Sequence, residues 1–356
     1  MAKFIRFFLL AAGFVAVFSL SSSAQIGGDN TYEFLNLVNS ARTASMGGNF
    51  LTIKDDDLTL ALANPSLITP AMHNDIALSF VNYFAGINYG YAMYSRTFHT
   101  IGSFAATLQY IDYGKFTYAD ASGLKGGDFT AGEYALNIGW GRQLTPLFSI
   151  GSNLKAIYSS LESYHSFGLA VDVAGTYKSK NELFTSSLIM KNLGTQIVAY
   201  REGNAEKLPF EIQWGMSEKF RHLPFRFSLL LNHLEKWDLA YEQPADPYAT
   251  KDPFSGEPKK KKGLEKIGDN FMRHVVIGGE ANITKNFFIR AGYNYQRRQE
   301  MKVSSKMAMV GFSWGFGFRV KMFQLNYARS TYHLNGSPNY ITLAMHLGQL
   351  LDKKGE

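Results

Sequence analysis

The feature that most constrains the fold is a series of about fourteen segments between residues 75 and 350, each roughly ten residues long, in which large apolar residues alternate with small or polar ones. In residues 133–142 the large side chains share one face: Tyr134, Leu136, Ile138 and Trp140. In residues 309–319 they are Val310, Phe312, Trp314, Phe316 and Phe318, opposed by glycine, serine and arginine. A period of two indicates β-strands whose faces meet different surroundings.

The length and number of these segments favour a membrane barrel over a soluble sandwich. Ten residues at a tilt of about 35–45° cover an apolar band of about 25 Å, whereas soluble strands usually have about 5–6 residues. The predicted strands begin near Asp75, Ile87, Gly102, Gly132, Phe148, Ser166, Leu183, Glu211, Phe225, His274, Phe287, Met307, Phe323 and Asn339. With 28 Phe, 20 Tyr, 33 Gly and 18% charged residues, the sequence predicts an all-β, 14-stranded antiparallel transmembrane β-barrel.

The connections predict how the barrel is oriented. Those after even-numbered strands are short: residues 99–100, 145–147, 178–182, 221–224, 284–286 and 320–322. Those after odd-numbered strands are mostly long: residues 112–131, 194–210, 235–273, 297–306 and 331–338. Outer-membrane barrels have short periplasmic turns and long extracellular loops. We therefore expect an outer-membrane protein whose N- and C-termini both lie on the periplasmic side.

The longest loop contains four prolines and the lysine run Lys259, Lys260, Lys261 and Lys262. This run is a candidate extracellular site for a partner or for lipopolysaccharide, since a cluster of lysines attracts phosphates or an acidic protein. It is equally consistent with a loop tip that only promotes solubility.

The N-terminus has the form of a signal peptide. Lys3 and Arg6 precede an apolar run from Phe7 to Leu20, and small residues lead to a predicted cleavage before Gln25. The chain has no cysteine, which excludes disulfides and thiolate metal sites. Its net charge of +7 is spread too evenly to indicate nucleic-acid binding. We expect a signal peptide at 1–24, an N-terminal hatch at 25–73, and the barrel with its extracellular loops at 74–356.

The predicted hatch does not alternate like a strand. Residues 32–38 are predicted to form a short helix, with Thr31 as a possible cap and with Phe34, Leu35 and Val38 on one face. Fourteen strands enclose a lumen wide enough to need filling, and inward-facing glycines would leave room for such a segment.

Two resemblances arise from this N-terminal stretch. Residues 40–48 (SARTASMGG), the acidic run at 55–57 and residues 64–67 (NPSL) resemble the hatch of the long-chain fatty-acid transporter family, whose barrels have fourteen strands. Residues 27–35 (GGDNTYEFL) resemble the PorQ family, an outer-membrane component of the Bacteroidetes type IX secretion system. To the hatch motif we assign a structural role; its residues are Ala41, Arg42, Gly47, Gly48, Asp55, Asp56, Asp57, Asn64 and Pro65.

The PorQ-family resemblance implies a function without catalysis or cofactor. Such a protein holds the surface protein PorZ in an attachment complex with the sortase PorU and the barrel PorV, which links secreted cargo to anionic lipopolysaccharide. The resemblance to fatty-acid transporters implies an alternative, namely transport of long-chain fatty acids or other hydrophobic small molecules. Transport would require a contiguous apolar pocket between hatch and wall that opens toward lipid.

The sequence allows more than one chemical role for several residues. The acidic run could hold calcium or relay protons, or it could pair with lumen arginines such as Arg142, Arg290 or Arg319. Arg42 could anchor the hatch to an acidic residue of the wall or contact a ligand. Combining Glu133, His165 and His346 with a serine would give a hydrolase, but no spacing supports that set. The sequence therefore predicts neither an enzyme nor a metal site.

Overall fold

The protein is a closed barrel of fourteen antiparallel strands, as predicted. The computed structural model describes residues 30–120, 122–240, 263–301, 309–333 and 336–348. The predicted signal peptide and residues 259–262 lie outside these ranges. The strands are β1 (Asp75–Asn82), β2 (Asn88–Phe98), β3 (Gly102–Ala119), β4 (Lys125–Gln143), β5 (Phe148–Leu161), β6 (Tyr164–Lys178), β7 (Phe184–Val198), β8 (Glu211–Lys219), β9 (Phe225–Leu231), β10 (Val275–Asn282), β11 (Phe287–Asn294), β12 (Phe312–Val320), β13 (Phe323–Ser330) and β14 (Asn339–His346).

The alternation has the polarity of a membrane barrel. Large apolar side chains point outward, where Leu136 is 49% exposed and Trp314 46% exposed, while Asn137 faces the lumen and is only 1% exposed. A soluble sandwich would have the opposite polarity. Val310 departs from the pattern, because it precedes β12 and is buried. The alternating sequence pattern therefore begins in the turn before β12.

The two ends of the barrel differ as the connections predict. At one end, which we call the short-turn end, even-numbered strands pass to the next strand through tight turns, and β12 reaches β13 through two residues. At the opposite end, the long-loop end, 12 residues separate β7 from β8, 43 separate β9 from β10, 17 separate β11 from β12, and 8 separate β13 from β14. The prediction for residues 112–131 is wrong: β4 begins at Lys125, and most of that loop continues β3 and β4 as a two-stranded ribbon beyond the rim.

The described helices are short. The helix α1 (Ala41–Ser45) lies in the lumen, and α2 (Gly263–Arg273) and α3 (Tyr295–Met301) lie in loops of the long-loop end. Four 3₁₀ turns accompany α1 in the N-terminal segment: Glu33–Asn36, Leu58–Leu60, Pro65–Leu67 and Pro70–Met72. Among the described helices, none has the length and apolarity to cross a membrane.

The helix predicted for residues 32–38 is only the 3₁₀ turn Glu33–Asn36. Its cap is Tyr32, which has a φ of 59° and makes no side-chain cap bond, so the prediction of Thr31 as the cap is wrong. The Tyr32 hydroxyl instead shares a hydrogen bond with Ser166 of the wall. Tertiary contacts, and not a local cap, therefore hold this turn.

Residues 30–74 lie inside the barrel as a hatch. Its apolar side chains form buried clusters with the wall, such as Phe34 with Val81 and Tyr340, and Phe50 with Val276. Wall glycines permit the closest approaches. A Cβ on Gly292 would lie 1.9 Å from the Met46 carbonyl oxygen, and one on Gly151 would lie 2.3 Å from the Pro65 carbonyl carbon. At these positions the hatch backbone occupies the space of a side chain.

Candidate functional site: the interface between hatch and wall

Polar hatch residues first organise the hatch itself. The Ser40 hydroxyl accepts from the Arg42 backbone N–H and caps α1, which presents the Arg42 side chain to the wall. Asn64 caps the turn Pro65–Leu67 by accepting from Ser66, and its amide donates to the Leu51 carbonyl oxygen at 2.7 Å. The Asn-Pro pair therefore begins a 3₁₀ turn and also ties two hatch segments together.

A network of six charged side chains, which we call the ionic cluster, joins the hatch to the barrel. The Arg42 guanidinium donates to Asp55 at 2.6 Å and to Asp57 at 2.8 Å within the hatch. It also donates from Nε and Nη2 to both carboxylate oxygens of Glu280 on β10, at 3.0 and 2.9 Å. This bidentate pair across the interface is a strong, directional contact.

Two wall arginines complete the ionic cluster. Arg290 Nε donates to Glu280 at 2.5 Å, and Arg226 Nη1 lies 3.3 Å from both Glu280 and Asp55. Three guanidinium groups thus face three carboxylates. Because the formal charges cancel, the cluster can remain ionised although most of it is buried.

The ionic cluster lies toward the short-turn end, where β9 and β11 begin and β10 ends. Burial alone would raise the pKa of Asp55, but the guanidinium groups of Arg42 and Arg226 hold that pKa well below its usual range. Asp55 therefore stays ionised at neutral pH. In this structure Arg42 is an anchor between hatch and wall.

The prediction that lumen arginines such as Arg142, Arg290 or Arg319 pair with the acidic run is wrong: within the described residues its ion pairs are with Arg42 and Arg226. Arg142 is exposed on the outer face, and Arg319 donates to Gln324. Arg290 contacts Glu280 in place of an aspartate. Asp56 turns away from its neighbours and accepts from Thr69 at 2.6 Å. The acidic run therefore does not converge on one point, and no group of three or more metal-ligating side chains occurs among the described residues.

A second buried polar cluster lies on the wall formed by β5, β6 and β7. Lys155 on β5 donates to Asp172 on β6 at 2.8 Å and to the Asn192 side chain at 2.7 Å. Asn192 in turn donates to Asn36 of the hatch at 2.9 Å. The hatch therefore bonds to the wall at two places, to Glu280 on β10 and to Asn192 on β7.

A small cavity lies between the hatch and the wall. It has a volume of about 20 Å³ and lies between hatch residues such as Leu35 and Asn39 and the wall residues Tyr91 and Lys191. This volume suits about one water molecule. An apolar groove of about 410 Å³ lies elsewhere, on the outer surface between β14, β1, β2 and β3, where Phe80, Leu108 and Ile341 line it.

The long-loop end carries exposed apolar groups. The ribbon of β3 and β4 extends beyond its neighbours, because pairing with β2 ends at Asp112 and pairing with β5 ends at Ala131. On one face of this ribbon Phe116 stacks on Phe129 at 5.3 Å between ring centroids, and Tyr118 is exposed beside them.

Helix α2 is a second such feature, since its apolar side chains Leu264, Ile267 and Phe271 are exposed while Asp269 and Arg273 are buried. The long-loop end therefore presents two apolar surfaces at the rim. The sequence pattern predicted loops at both places.

The residues considered for a hydrolase do not form a set. Glu133 accepts from Tyr113 near the long-loop end, and His165 contacts Tyr158 on the outer face. His346 pairs with Asp75 at the short-turn end. These three side chains lie at separate places on the barrel.

Sequence reasoning missed Glu280 and Arg226, the wall partners of the hatch. Both are charged residues at inward positions of otherwise apolar strands, within residues 225–231 and 275–282. A charge at such a position is a usable signal. Its partner cannot be read from the pattern, because Arg42 and Glu280 are 238 residues apart.

No protein-family model matches this sequence, and the comparison with curated proteins finds no match. Solved structures do show the same fold. The Pseudomonas putida toluene transporter TodX has a TM-score of 0.50 and 11% identity, over 87% of this chain and 97% of that one. A TodX deletion mutant (deltaS2) gives 0.52 and 12%, over 88% and 98%. A Pseudomonas aeruginosa FadL homologue gives 0.43 and 11%, over 86% and 97%.

The closed strand order and the likeness to TodX define the fold. The chain is a closed 14-stranded antiparallel β-barrel with a hatch in its lumen, similar in fold to TodX.

Proposed function

We propose that this protein is a plugged outer-membrane barrel that holds a surface partner at its long-loop end, as a PorQ-like component of the type IX attachment complex. In this proposal the partner is the surface protein PorZ, with the sortase PorU and the barrel PorV joined through it. The attribution to type IX secretion rests on the resemblance of residues 27–35 to the PorQ family. Localisation at the outer membrane with long loops at the cell surface is part of the proposal.

The observation that most supports binding over passage is the fastened hatch. Arg42 bonds two hatch carboxylates and Glu280 at once, and the cavity beside Leu35 has room for about one water. A permeation path would need those contacts to break. A barrel whose hatch stays in place is suited to serve as a rigid anchor.

The features of the long-loop end support a docking role. The projecting ribbon exposes Phe116 and Tyr118, and isolated two-stranded ribbons are marginal in water without a surface to pack on. Aromatic side chains are enriched where proteins bind one another. The four lysines at 259–262 lie outside the described residues and remain a proposed site for lipopolysaccharide or an acidic partner.

The test is a pulldown of the tagged full-length chain from detergent-solubilised membranes of its native host. We expect PorZ, PorU and PorV to co-purify, identified by mass spectrometry. A Phe116→Ser/Tyr118→Ser variant should lose the partner, and replacing the four lysines with glutamine should weaken its retention. The matched control is Leu144→Ser, because Leu144 is at least as exposed as Phe116 and Tyr118 but lies in a short turn at the opposite end.

Two outcomes would overturn the proposal. One is the absence of these proteins from a pulldown in which the barrel itself is intact. The other is an unchanged amount of cargo on the cell surface after deletion of the gene.

Transport of hydrophobic small molecules is the second candidate, favoured by the apolar groove between β14, β1, β2 and β3. Tyr91 lines both this groove and the small cavity beside the hatch. Rearrangement of the wall near this residue would therefore connect lipid with the lumen. Fatty acid that co-purifies with the barrel, or growth on fatty acid that depends on the gene, would favour this candidate.

A further inference from the structure

Helix α2 has the reverse polarity of a helix on the surface of a water-soluble protein. Leu264, Ile267 and Phe271 share one side of the helix and are 87%, 53% and 47% exposed. On the other side Asp269 and Arg273 are buried. A surface helix in water buries its apolar stripe and exposes its charges. The barrel wall has the same inverted arrangement as α2, with large apolar groups outside and polar groups inside.

Hydrogen bonds fix the polar side of α2 against the protein. The Tyr295 hydroxyl of α3 donates to Asp269 Oδ1 at 2.7 Å. Asn270 Nδ2 donates to Asp238 of the preceding loop at 3.2 Å, and Arg273 Nε donates to Asp269 at 3.0 Å. The apolar side of α2 therefore faces away from α3.

The position of α3 shows which direction that is. Arg297 of α3 donates from Nη2 to the Gly47 carbonyl oxygen of the hatch at 3.2 Å. Its Nη1 donates to the hydroxyl of Ser313, a buried residue on the inner face of β12, at 3.3 Å. Helix α3 thus lies over the lumen. Because α2 turns its polar side to α3, its apolar side is directed away from the lumen.

The height of α2 is given by the strand that follows it. On the outer face of the wall Ile277 of β10 pairs with Tyr293 of β11, whose ring lies 4.7 Å from that of Phe312 between centroids. Outward aromatic residues near the ends of the strands mark the membrane–water interface. Arg273, the last residue of α2, precedes Ile277 by four positions, which is about 13 Å along a strand and less in height because the strands tilt. A helix with its side chains is about 10–12 Å across, so the apolar side of α2 reaches the headgroup layer.

We propose that α2 is an interfacial helix whose apolar side binds the lipid surface around the long-loop end of the barrel. Lipid is the occupant that fits, because this side faces away from the lumen and continues the lipid-facing surface of the wall just above its aromatic residues. Interfacial helices bind in this way, with the apolar side in the lipid and the polar side out of it. The bound helix holds the loop between β9 and β10 against the membrane.

This inference rests on the placement of the barrel in an outer membrane, which belongs to the proposed function. It does not depend on the identity of the surface partner. The projecting ribbon and α2 then have different roles, since the ribbon docks a protein and the helix binds lipid.

Fluorescence quenching by lipid tests the contact on the full-length barrel. The chain has no cysteine, so one introduced thiol can be labelled selectively. Ile267→Cys is labelled with an environment-sensitive fluorophore and reconstituted into phosphatidylcholine vesicles, part of whose lipid carries a quencher on the acyl chain near the headgroup. We expect most of the fluorescence to be lost when the quencher lipid is present. Leu264→Cys, on the same side of the helix, should behave in the same way.

Three matched positions calibrate the quenching. Leu136→Cys lies on the lipid-facing surface of β4, where Leu136 is 49% exposed, and should be quenched. Tyr118→Cys lies on the projecting ribbon, where Tyr118 is 51% exposed, and should keep its fluorescence. Lys266→Cys lies on the side of α2 that faces Asp238 and should keep more fluorescence than Ile267→Cys.

Two results would overturn the inference while leaving the proposed function standing. One is unquenched fluorescence at positions 264 and 267 while Leu136→Cys is quenched, which is expected if a surface protein covers this side of α2. The other is a disulfide-linked dimer of unlabelled Ile267→Cys in the vesicles, which would mean that a second copy of the chain covers it. If Leu136→Cys is not quenched either, the membrane placement is wrong and the proposed function fails with the inference.

Discussion

Replacing Glu280 with glutamine should loosen the hatch while leaving the barrel closed. Glu280 accepts from Arg42 at 2.9 and 3.0 Å, from Arg290 at 2.5 Å and from Arg226 at 3.3 Å. The substitution leaves three guanidinium groups facing the two carboxylates of the hatch. One positive charge in a largely buried site is then uncompensated.

The expected cost follows from how deeply the ionic cluster is buried. Removing one partner of a buried ion pair costs about 3–5 kcal/mol. Asp55 is 32% exposed and Arg226 15% exposed, so water screens part of the excess charge. We therefore expect the lower limit, about 3 kcal/mol, which corresponds to roughly a hundredfold change in the docking equilibrium of the hatch.

Hydrogen exchange with mass spectrometry, on the barrel in detergent, measures this equilibrium directly. Amides of residues 41–47 should exchange up to about a hundredfold faster in Glu280→Gln, while amides of β10 and its neighbours stay protected. The matched control is Glu182→Gln, which removes an exposed pair with Lys178 at 3.0 Å and should have an effect below about 1 kcal/mol. Adding Arg290→Met to Glu280→Gln restores charge balance and should recover part of the protection.

The reasoning is refuted if Glu280→Gln and Glu182→Gln give the same hatch exchange. It is also refuted if protection is lost equally in the hatch and in β10, because that pattern would mean unfolding of the barrel.

Two further predictions concern the same interface. Gly292→Ala should destabilise the docked hatch by about 1–3 kcal/mol or more, since the added methyl group meets the Met46 backbone. The thermal unfolding temperature of this variant should fall. The control is Gly175→Ala, whose added methyl group meets no atom within 4 Å and should leave that temperature unchanged. Because the pKa of Asp55 is lowered, its contribution to hatch docking is fully present above the usual carboxyl pKa of about 3.9 and is lost as the pH falls below that value. Hydrogen exchange of the hatch amides, measured from pH 7 to pH 3 and corrected for intrinsic rates, should accelerate only at the acidic end. Acceleration near pH 6 would contradict this assignment.

Much of the barrel could be predicted because its signal is local and repeated. A transmembrane strand alternates between lipid and lumen at every residue, so ten residues such as 133–142 reveal both faces without reference to the rest of the chain. The strand count follows from the number of such segments, and the assignment of the two barrel ends follows from the lengths of the connections between them. The ribbon of β3 and β4 beyond the rim was not predicted, because neither of its faces meets lipid and its sequence therefore does not have to alternate between apolar and polar residues. Lys115 and Phe116 are neighbours there.

The residues that fasten the hatch could be predicted only in part. Arg42, Asp55 and Asp57 stand out as charges in a segment that must be buried. Their wall partners Glu280 and Arg226 are fixed by barrel closure, which brings strands hundreds of residues apart in the chain to the same side of the lumen.

The sequence by itself determined the closed all-β architecture and the outward placement of large apolar groups, since strand period, strand length and turn length are written residue by residue. The tertiary structure alone decided what each lumen charge meets. Arg42 spans hatch and wall, Arg142 faces outward, and Lys155 pairs with Asp172 of the neighbouring strand. Such pairings depend on distances of a few ångströms across the lumen, and no local pattern encodes them.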